Sequence, residues 1–359
     1  MSNADTNQYF ANDEQNAAPH DCLFNRDTRT INTILSTGAW RLTLYRSSKG
    51  THMKLACFND THLGVVTADE RIIDVTDLAE PLPGHTLQQI VEKVLSGWGQ
   101  MQPKFEAALK NRAGVPLQTV ALLSPIPEPS KILCYGLNFS EFGMVPPLDK
   151  EIFIKPASSL IGSGGTVVLP EVEANLFYHE AELGIVIGKP AHKLSKGTGM
   201  DVIFGYTNYI DVTARASLGN GVIMPNGRYS LFTGKSWDTF SPMGPYLVTA
   251  DEVGDPLALQ VRFWLNGILR QDFPMNDIAF TIADLVENVS HITSLKVGDV
   301  ITTGTNHTGL CALQHDDEAI QEIDKLGKLK VTVSDPLRRS WPREPFKDLL
   351  ENIHKLGKR

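Results

Sequence analysis

The chain has 359 residues, 42% of them hydrophobic, and 33 Lys and Arg against 41 Asp and Glu give a formal net charge of −8. That is enough apolar material for a main domain and a smaller one, and the acidic balance, without a long run of either sign, excludes a nucleic-acid or anionic-membrane surface. Four scattered cysteines with no Cys-x-x-Cys pair, a leader without signal-peptide regions and no apolar run near the ~18 residues of a membrane helix point to a soluble, cytoplasmic protein with reduced thiols.

Residues 1–52 read as an N-terminal tail, partly disordered, because their first thirty residues are rich in Asn, Asp, Gln and Ala and poor in large apolar groups. From Met53 short β-like runs alternate with polar turns, at 53–57, 63–66 and 71–75. Thr86 then caps a helix carrying Leu87, Ile90, Val91, Val94 and Leu95, and a second short helix is expected from Pro103 to Lys110. This small α+β domain, 53–126, ends at the proline-rich joint around Pro125, Pro127 and Pro129. Strands follow at 131–135, 151–155, 166–169, 180–187, 202–210, 257–265 and 329–333, a density that favours a β-roll or sandwich over 127–338. Within it, Asn266-Gly267 marks a hairpin, because both residues tolerate positive φ. One helix is expected after Asn276 or Asp277, with Phe280, Ile282, Leu285, Val286, Val289 and Ile292 on its apolar face. Residues 339–359 read as a C-terminal tail, and the fold class is α+β, mostly β.

Glu180 and Glu182 interrupt a run, from Tyr178 to Gly188, that otherwise looks buried. On a strand they share a face about 6.6 Å apart along the backbone, and two ionised carboxylates in a low-dielectric site need a proton or a cation between them. Asp211, ending the aromatic run from Phe204 to Ile210, offers a third. Three hard oxygen donors suit Mg²⁺ or Mn²⁺. Spacing alone equally allows the glutamates to line the exposed face of an amphipathic strand.

Five segments raise the first reading: Phe153 to Ser159, His179 to Gly184, Gly205 to Arg215, Gly234 to Pro245 and Gly298 to Thr305. In order, they resemble the signature blocks of the fumarylacetoacetate hydrolase family, over roughly residues 53–338. The resemblance implies a catalytic domain built on a mixed β-roll, a small N-terminal domain, a homodimer, and Mg²⁺, Mn²⁺ or Ca²⁺ held by Glu180, Glu182 and Asp211. It further implies a catalytic Lys235 beside the substrate oxygens and substrate contacts from Asn138, Lys155, Arg215 and Thr305. Bland alternatives stay open: a structural counter-ion for Lys235, a surface salt bridge for Arg215, turn chemistry for Thr305 and a loop charge for Lys155.

The chain departs from the family where many hydrolytic members carry Asn-Tyr-x-x-His followed by a glutamate, a pair that activates water. Phe142 stands at the histidine position and Val145 at the glutamate position, and phenylalanine cannot take a proton. Leu218 replaces a frequent glutamine. Glu141 or His307 is the candidate replacement base, against a solvated glutamate and a turn histidine; otherwise the chemistry needs no activated water. His179 is expected to face away from Glu180 as a satisfied core histidine, and the run Gly162 to Gly165 to be a plain turn rather than a phosphate loop. The expected function is a divalent-metal-dependent enzyme acting on a small 2-oxo or β-dicarbonyl carboxylic acid through a metal-stabilised enolate, by C–C bond hydrolysis, decarboxylation or isomerisation. The alternative is an inactive ligand-binding or assembly subunit of the same fold.

Overall fold

Along the strand Ala181–Ile187 every residue is buried, as happens when a strand lies in mid-sheet with both faces covered. Its computed structural model describes residues 53–149, 151–172, 174, 176–216, 219–220 and 231–346. The expected tail 1–52, Cys22, Leu218 and positions 347–359 of the expected C-terminal tail lie outside the described residues.

Among the described residues the sheet holding this strand has 11 strands. Its order runs Val115–Pro116, Arg71–Asp74, His62–Val66, Lys54–Phe58, Ser241–Thr249, Ile203–Ile210, Ala181–Ile187, Val300–Thr302, Ile132–Gly136 and Glu151–Lys155, with Leu160–Ile161 on the side of Ser241–Thr249. Most pairs are antiparallel, but Val300–Thr302 runs parallel to Ile132–Gly136, so the sheet is mixed. A five-stranded sheet contains Gln260–Leu265, Ile268–Pro274, Glu318–Ile323, Gly327–Ser334 and Thr166–Val168, and a three-stranded one contains Leu176–Tyr178, Thr213–Ala216 and Gly219–Asn220. The architecture is the mostly β, mixed arrangement that the strand density predicts.

Alternation explains how one strand serves two cores. Ala181, Leu183, Ile185 and Ile187 join a cluster with Phe263, Leu329 and Val331 of the second sheet and Leu285, Val286 and Val289 of the helix Ile282–Ile292. Val186 faces the other way, into a cluster with Ile90, Val94 and Phe105 of the helices Leu87–Ser96 and Trp98–Asn111. Glu182 has the parity of Val186 and belongs to that second face.

Thr86 caps its helix as expected, in a reciprocal box with Gln89. The next helix starts earlier than expected, at Trp98, and takes Pro103 inside it. Asn266 and Gly267 adopt φ of 51° and 74°, and Leu265 pairs with Ile268, the two-residue hairpin read from the sequence. The cap of Ile282–Ile292 requires a correction. Thr281 accepts a bond from the Asp284 amide while the Asp284 carboxylate accepts from the Thr281 amide; Asn276 and Asp277 belong to the preceding 3₁₀ turn. The strand Ser241–Thr249, absent from the sequence expectation, carries Pro242 and Pro245, residues that ordinarily argue against a central strand.

No break in the sheet separates 53–126 from the rest, since Lys54 and Leu55 register with Val248 and Leu247. Residues 339–346, where the expected C-terminal tail begins, lie on the core: Trp341 packs on Phe177 at 5.8 Å and Phe346 on Tyr178 at 5.8 Å. Cys57, Cys134 and Cys311 are buried free thiols, and no helix among the described residues is long and apolar enough to cross a membrane. Thr281→Ala removes one half of the capping box and should lower stability by about 1 kcal/mol in urea unfolding; an unchanged midpoint would show that packing alone holds this helix end.

Candidate metal centre

The register of two strands assembles the carboxylates. Glu182 sits opposite Tyr209 in the pair of Ala181–Ile187 with Ile203–Ile210, and two positions outward the Asp211 amide donates to the Glu180 carbonyl at 2.9 Å. Opposed residues of an antiparallel pair point to the same side, so Glu180, Glu182 and Asp211 converge. An oxygen from each lies within 4.8 Å of the others, and all three residues are buried. The amphipathic-strand alternative is therefore excluded by burial.

Two lysines answer this charge. Lys235, at the end of the helix Leu231–Lys235, donates to Glu180 Oε2 and, at 2.7 Å, to Asp211 Oδ2. Lys155, fully buried at the end of its strand, donates to Asp211 Oδ1 and to the carbonyls of Phe240 at 2.8 Å and Val212 at 3.4 Å. Neutral donors fix the remaining oxygens: Thr213 Oγ1 donates to Glu180 Oε2 at 2.9 Å and the Gly304 amide to Glu182 Oε2 at 2.9 Å. Gly304 itself is at φ 77° with its missing Cβ 2.9 Å from the Tyr135 carbonyl, so only glycine brings this amide so close.

Three carboxylates thus face two ammonium groups, and Glu182 is the one without an ion-pair partner among the described residues. Burial, and then the neighbouring charges of Asp211 and Glu180, push its carboxyl up to about 8. Asp211 moves the opposite way: burial opposes its ionisation, but Lys155 and Lys235 outweigh it and hold the carboxyl below its usual range. Burial likewise works against the Lys235 ammonium, and Asp211 and Glu180 together overcome it, raising Lys235 well above its ordinary value. The donor set suits a hard divalent cation, with one negative charge left to neutralise and three oxygens close enough to share an ion.

The other residues singled out by sequence fall into two groups. Glu141 and His307 touch: His307 Nδ1 lies 2.6 Å from Glu141 Oε1, and the His307 amide donates to Oε2 at 2.9 Å. Asn138 and Thr305 are buried in the loops around the centre. Asn138 donates to the Thr303 carbonyl at 3.0 Å and accepts from the Phe280 amide at 3.0 Å, while Thr305 Oγ1 accepts from Gln271 at 3.0 Å. Arg215 lies half-buried on Thr213–Ala216, in register with Leu176. His179 is fully buried, stacked on Phe263 at 3.8 Å and bonded to Gln271 at 3.1 Å, and burial lowers it to about 3, a neutral core imidazole. Phe142 is half-exposed and Val145 buried. Sequence reasoning missed Thr213 and Gln271, whose types carry no distinguishing signal, and read Asp277 only as a helix cap.

A family model described as fumarylacetoacetate (FAA) hydrolase C-terminal matches residues 131–334. The chain is 30% identical to maleylpyruvate hydrolase of Aquipseudomonas alcaligenes, over 78% of this chain and 99% of that protein. It is 32% identical to oxaloacetate tautomerase YisK of Bacillus subtilis, over 69% of this chain and 86% of the relative. Among solved structures, maleylpyruvate hydrolase from Sphingobium sp. SYK-6 in complex with manganese (II) ion and pyruvate superposes with a TM-score of 0.70 at 34% identity, covering 79% of this chain and 99% of that one.

The charge imbalance generates a signed pH effect in the metal-free protein. An ordinary glutamate loses its proton near pH 4.3 and Glu182 at about 8, so across that interval the folded state keeps a proton that the unfolded state has lost. Stability from this group is therefore lost as pH rises through the window. Glu182→Gln has no such proton, and thermal melts in a chelator should show the variant gaining on the parent from about pH 4 to about pH 8; parallel curves would place Glu182 in a less confined setting.

Proposed function

The chain belongs to the fumarylacetoacetate hydrolase family, and from that premise we propose that it is a divalent-metal-dependent enzyme acting on a 2-oxo or β-dicarbonyl carboxylic acid. The observation that carries the proposal is the buried trio of Glu180, Glu182 and Asp211, in which Glu182 is left without a cationic partner. The similarity to an enzyme solved with manganese and pyruvate supports both the ion class and the 2-oxo acid. Maleylpyruvate and oxaloacetate, in the names of the relatives, are 2-oxo acids too.

Glu180, Glu182 and Asp211 would hold the ion, which when bound supplies a Lewis acid for oxygens on which negative charge develops. The protein's own groups prepare the rest. Lys155 pins Asp211 in its ionised form from behind, Thr213 and the Gly304 amide orient the two glutamates, and Lys235 brings a second positive charge to the same spot. With these charges buried, water competes little with them, so each interaction with a substrate carboxylate or carbonyl oxygen is strengthened. C–C hydrolysis, decarboxylation and enol–keto isomerisation all place charge on the same carbonyl oxygen, and this constellation serves any of them.

Calorimetric titration with Mn²⁺ and Mg²⁺, combined with turnover of oxaloacetate, acylpyruvates and hydroxymuconate-type dioates, tests the reading. The parent chain should bind the ion and convert at least one of these acids, and Glu182→Ala should lose roughly 100-fold or more in both properties. Ion binding without turnover of any such acid would favour a ligand-binding module, and a variant as active as the parent would remove Glu182 from the centre.

A further inference from the structure

Glu141 is fully buried, and its carboxylate has one partner among the described residues, His307, which reaches it through both ring Nδ1 and backbone amide. Within ion-pair distance no lysine or arginine of the described residues stands beside it. A carboxylate buried in this way fixes an imidazole: with Nδ1–H donated to Glu141, Nε2 carries the lone pair. His307 keeps 8% of its surface exposed, and Nε2 bonds to no described residue, so the basic nitrogen is left available.

The pair is held from both sides. Asp277 accepts from Ser140 Oγ and from the Phe142 amide at 3.1 Å, the two neighbours of Glu141, and from Asn306 Nδ2 at 2.8 Å, the neighbour of His307. Glu141 and Phe142 take φ of 52° and 57°, two successive side-chain-bearing residues in the left-handed region. Such backbone is strained and persists where the surroundings enforce it. His307 also follows Gly304, whose amide binds Glu182, by three positions, which bounds their Cα separation at about 11 Å. One short loop therefore joins the imidazole to the carboxylate centre.

We propose that Glu141 and His307 act as one acid–base pair, with His307 Nε2 the atom that takes and returns a proton and Asp277 a positioning residue that locks the two loops together. The inference rests on the metal-dependent keto-acid reading above. Nε2 accepts a proton from the substrate carbon next to the 2-oxo group. The C–H electron pair moves into the C–C bond, and the carbonyl π pair moves onto oxygen. Return of that proton to the oxygen leaves the enol, and return to carbon restores the keto acid, so no co-reactant is consumed. Glu141 stabilises the imidazolium formed in between.

Pyruvate supplies a direct probe, because exchange of its methyl protons for deuterium in D₂O reads proton abstraction from carbon. With Mn²⁺ present, the parent chain should catalyse exchange, and His307→Gln should slow it by roughly 10²–10⁴-fold while calorimetric Mn²⁺ affinity is unchanged. Added imidazole should restore part of the rate to His307→Ala, a readout that a merely structural histidine would not show. Glu141→Gln combined with His307→Gln should be no slower than His307→Gln alone, as for groups acting as a unit. Asp277→Asn, which keeps one acceptor oxygen, should retain more rate than Asp277→Ala. Parent-like exchange in His307→Gln overturns the proposal, as does a slowed variant whose Mn²⁺ affinity falls in step and which imidazole does not rescue. Failure of the reading beneath it looks different, since the unaltered chain would then neither bind Mn²⁺ nor exchange pyruvate.

Discussion

Three carboxylates buried against two lysines are the constraint around which the rest of this structure is arranged. Desolvating an ionised carboxylate is costly, and a protein retains such a group only where hydrogen bonds and opposite charge offset the cost. Here the offset is uneven. Asp211 receives two ammonium groups, Glu180 one ammonium and a hydroxyl, and Glu182 a backbone amide. The unevenness leaves Glu182 the place where an added positive charge would gain most, since the field there is least compensated.

The sheet converts that chemistry into geometry. Parity along Ala181–Ile187 sends Leu183, Ile185 and Ile187 into one core and leaves Glu182 on the opposite face, so a one-residue slip would exchange the carboxylate for a leucine. The loop after Val300–Thr302 then places the Gly304 amide on Glu182, and its continuation carries Thr305, Asn306 and His307 toward the loop containing Glu141. Gln271 ties this arrangement to the second sheet by donating to Thr305 Oγ1 and to the Asn306 carbonyl while its own carbonyl accepts from the Ala181 amide. The Glu182 contact and the Glu141–His307 pair thus hang from the same backbone segment, and a shift in that segment displaces both together.

Much of the fold and of the centre was legible in the sequence, for reasons that differ by residue. Glu180, Glu182 and Asp211 stood out because charge in an apolar run demands an explanation, and Asn266-Gly267 because few residue pairs suit its turn. Lys155 was harder: a lysine before a proline reads as a loop charge, and only the tertiary fold shows its ammonium enclosed by Asp211 and two carbonyls. Ser241–Thr249 was hidden by its prolines. The contact of Glu141 with His307 could not be read at all, because 166 residues separate them and nothing local in either sequence reports the other. Asp277 illustrates a competing signal: its capping character was genuine, but Thr281 and Asp284 capped the helix more completely and freed Asp277 for the loops.

Anomalous diffraction from crystals of the full chain grown with Mn²⁺ reads the occupancy of the carboxylate centre. One strong manganese peak is expected, coordinated by oxygens of Glu180, Glu182 and Asp211, with Lys155 still bonded to Asp211. Manganese bound elsewhere, or a cluster that stays empty at saturating Mn²⁺ with Lys235 bridging Glu180 and Asp211, would contradict it.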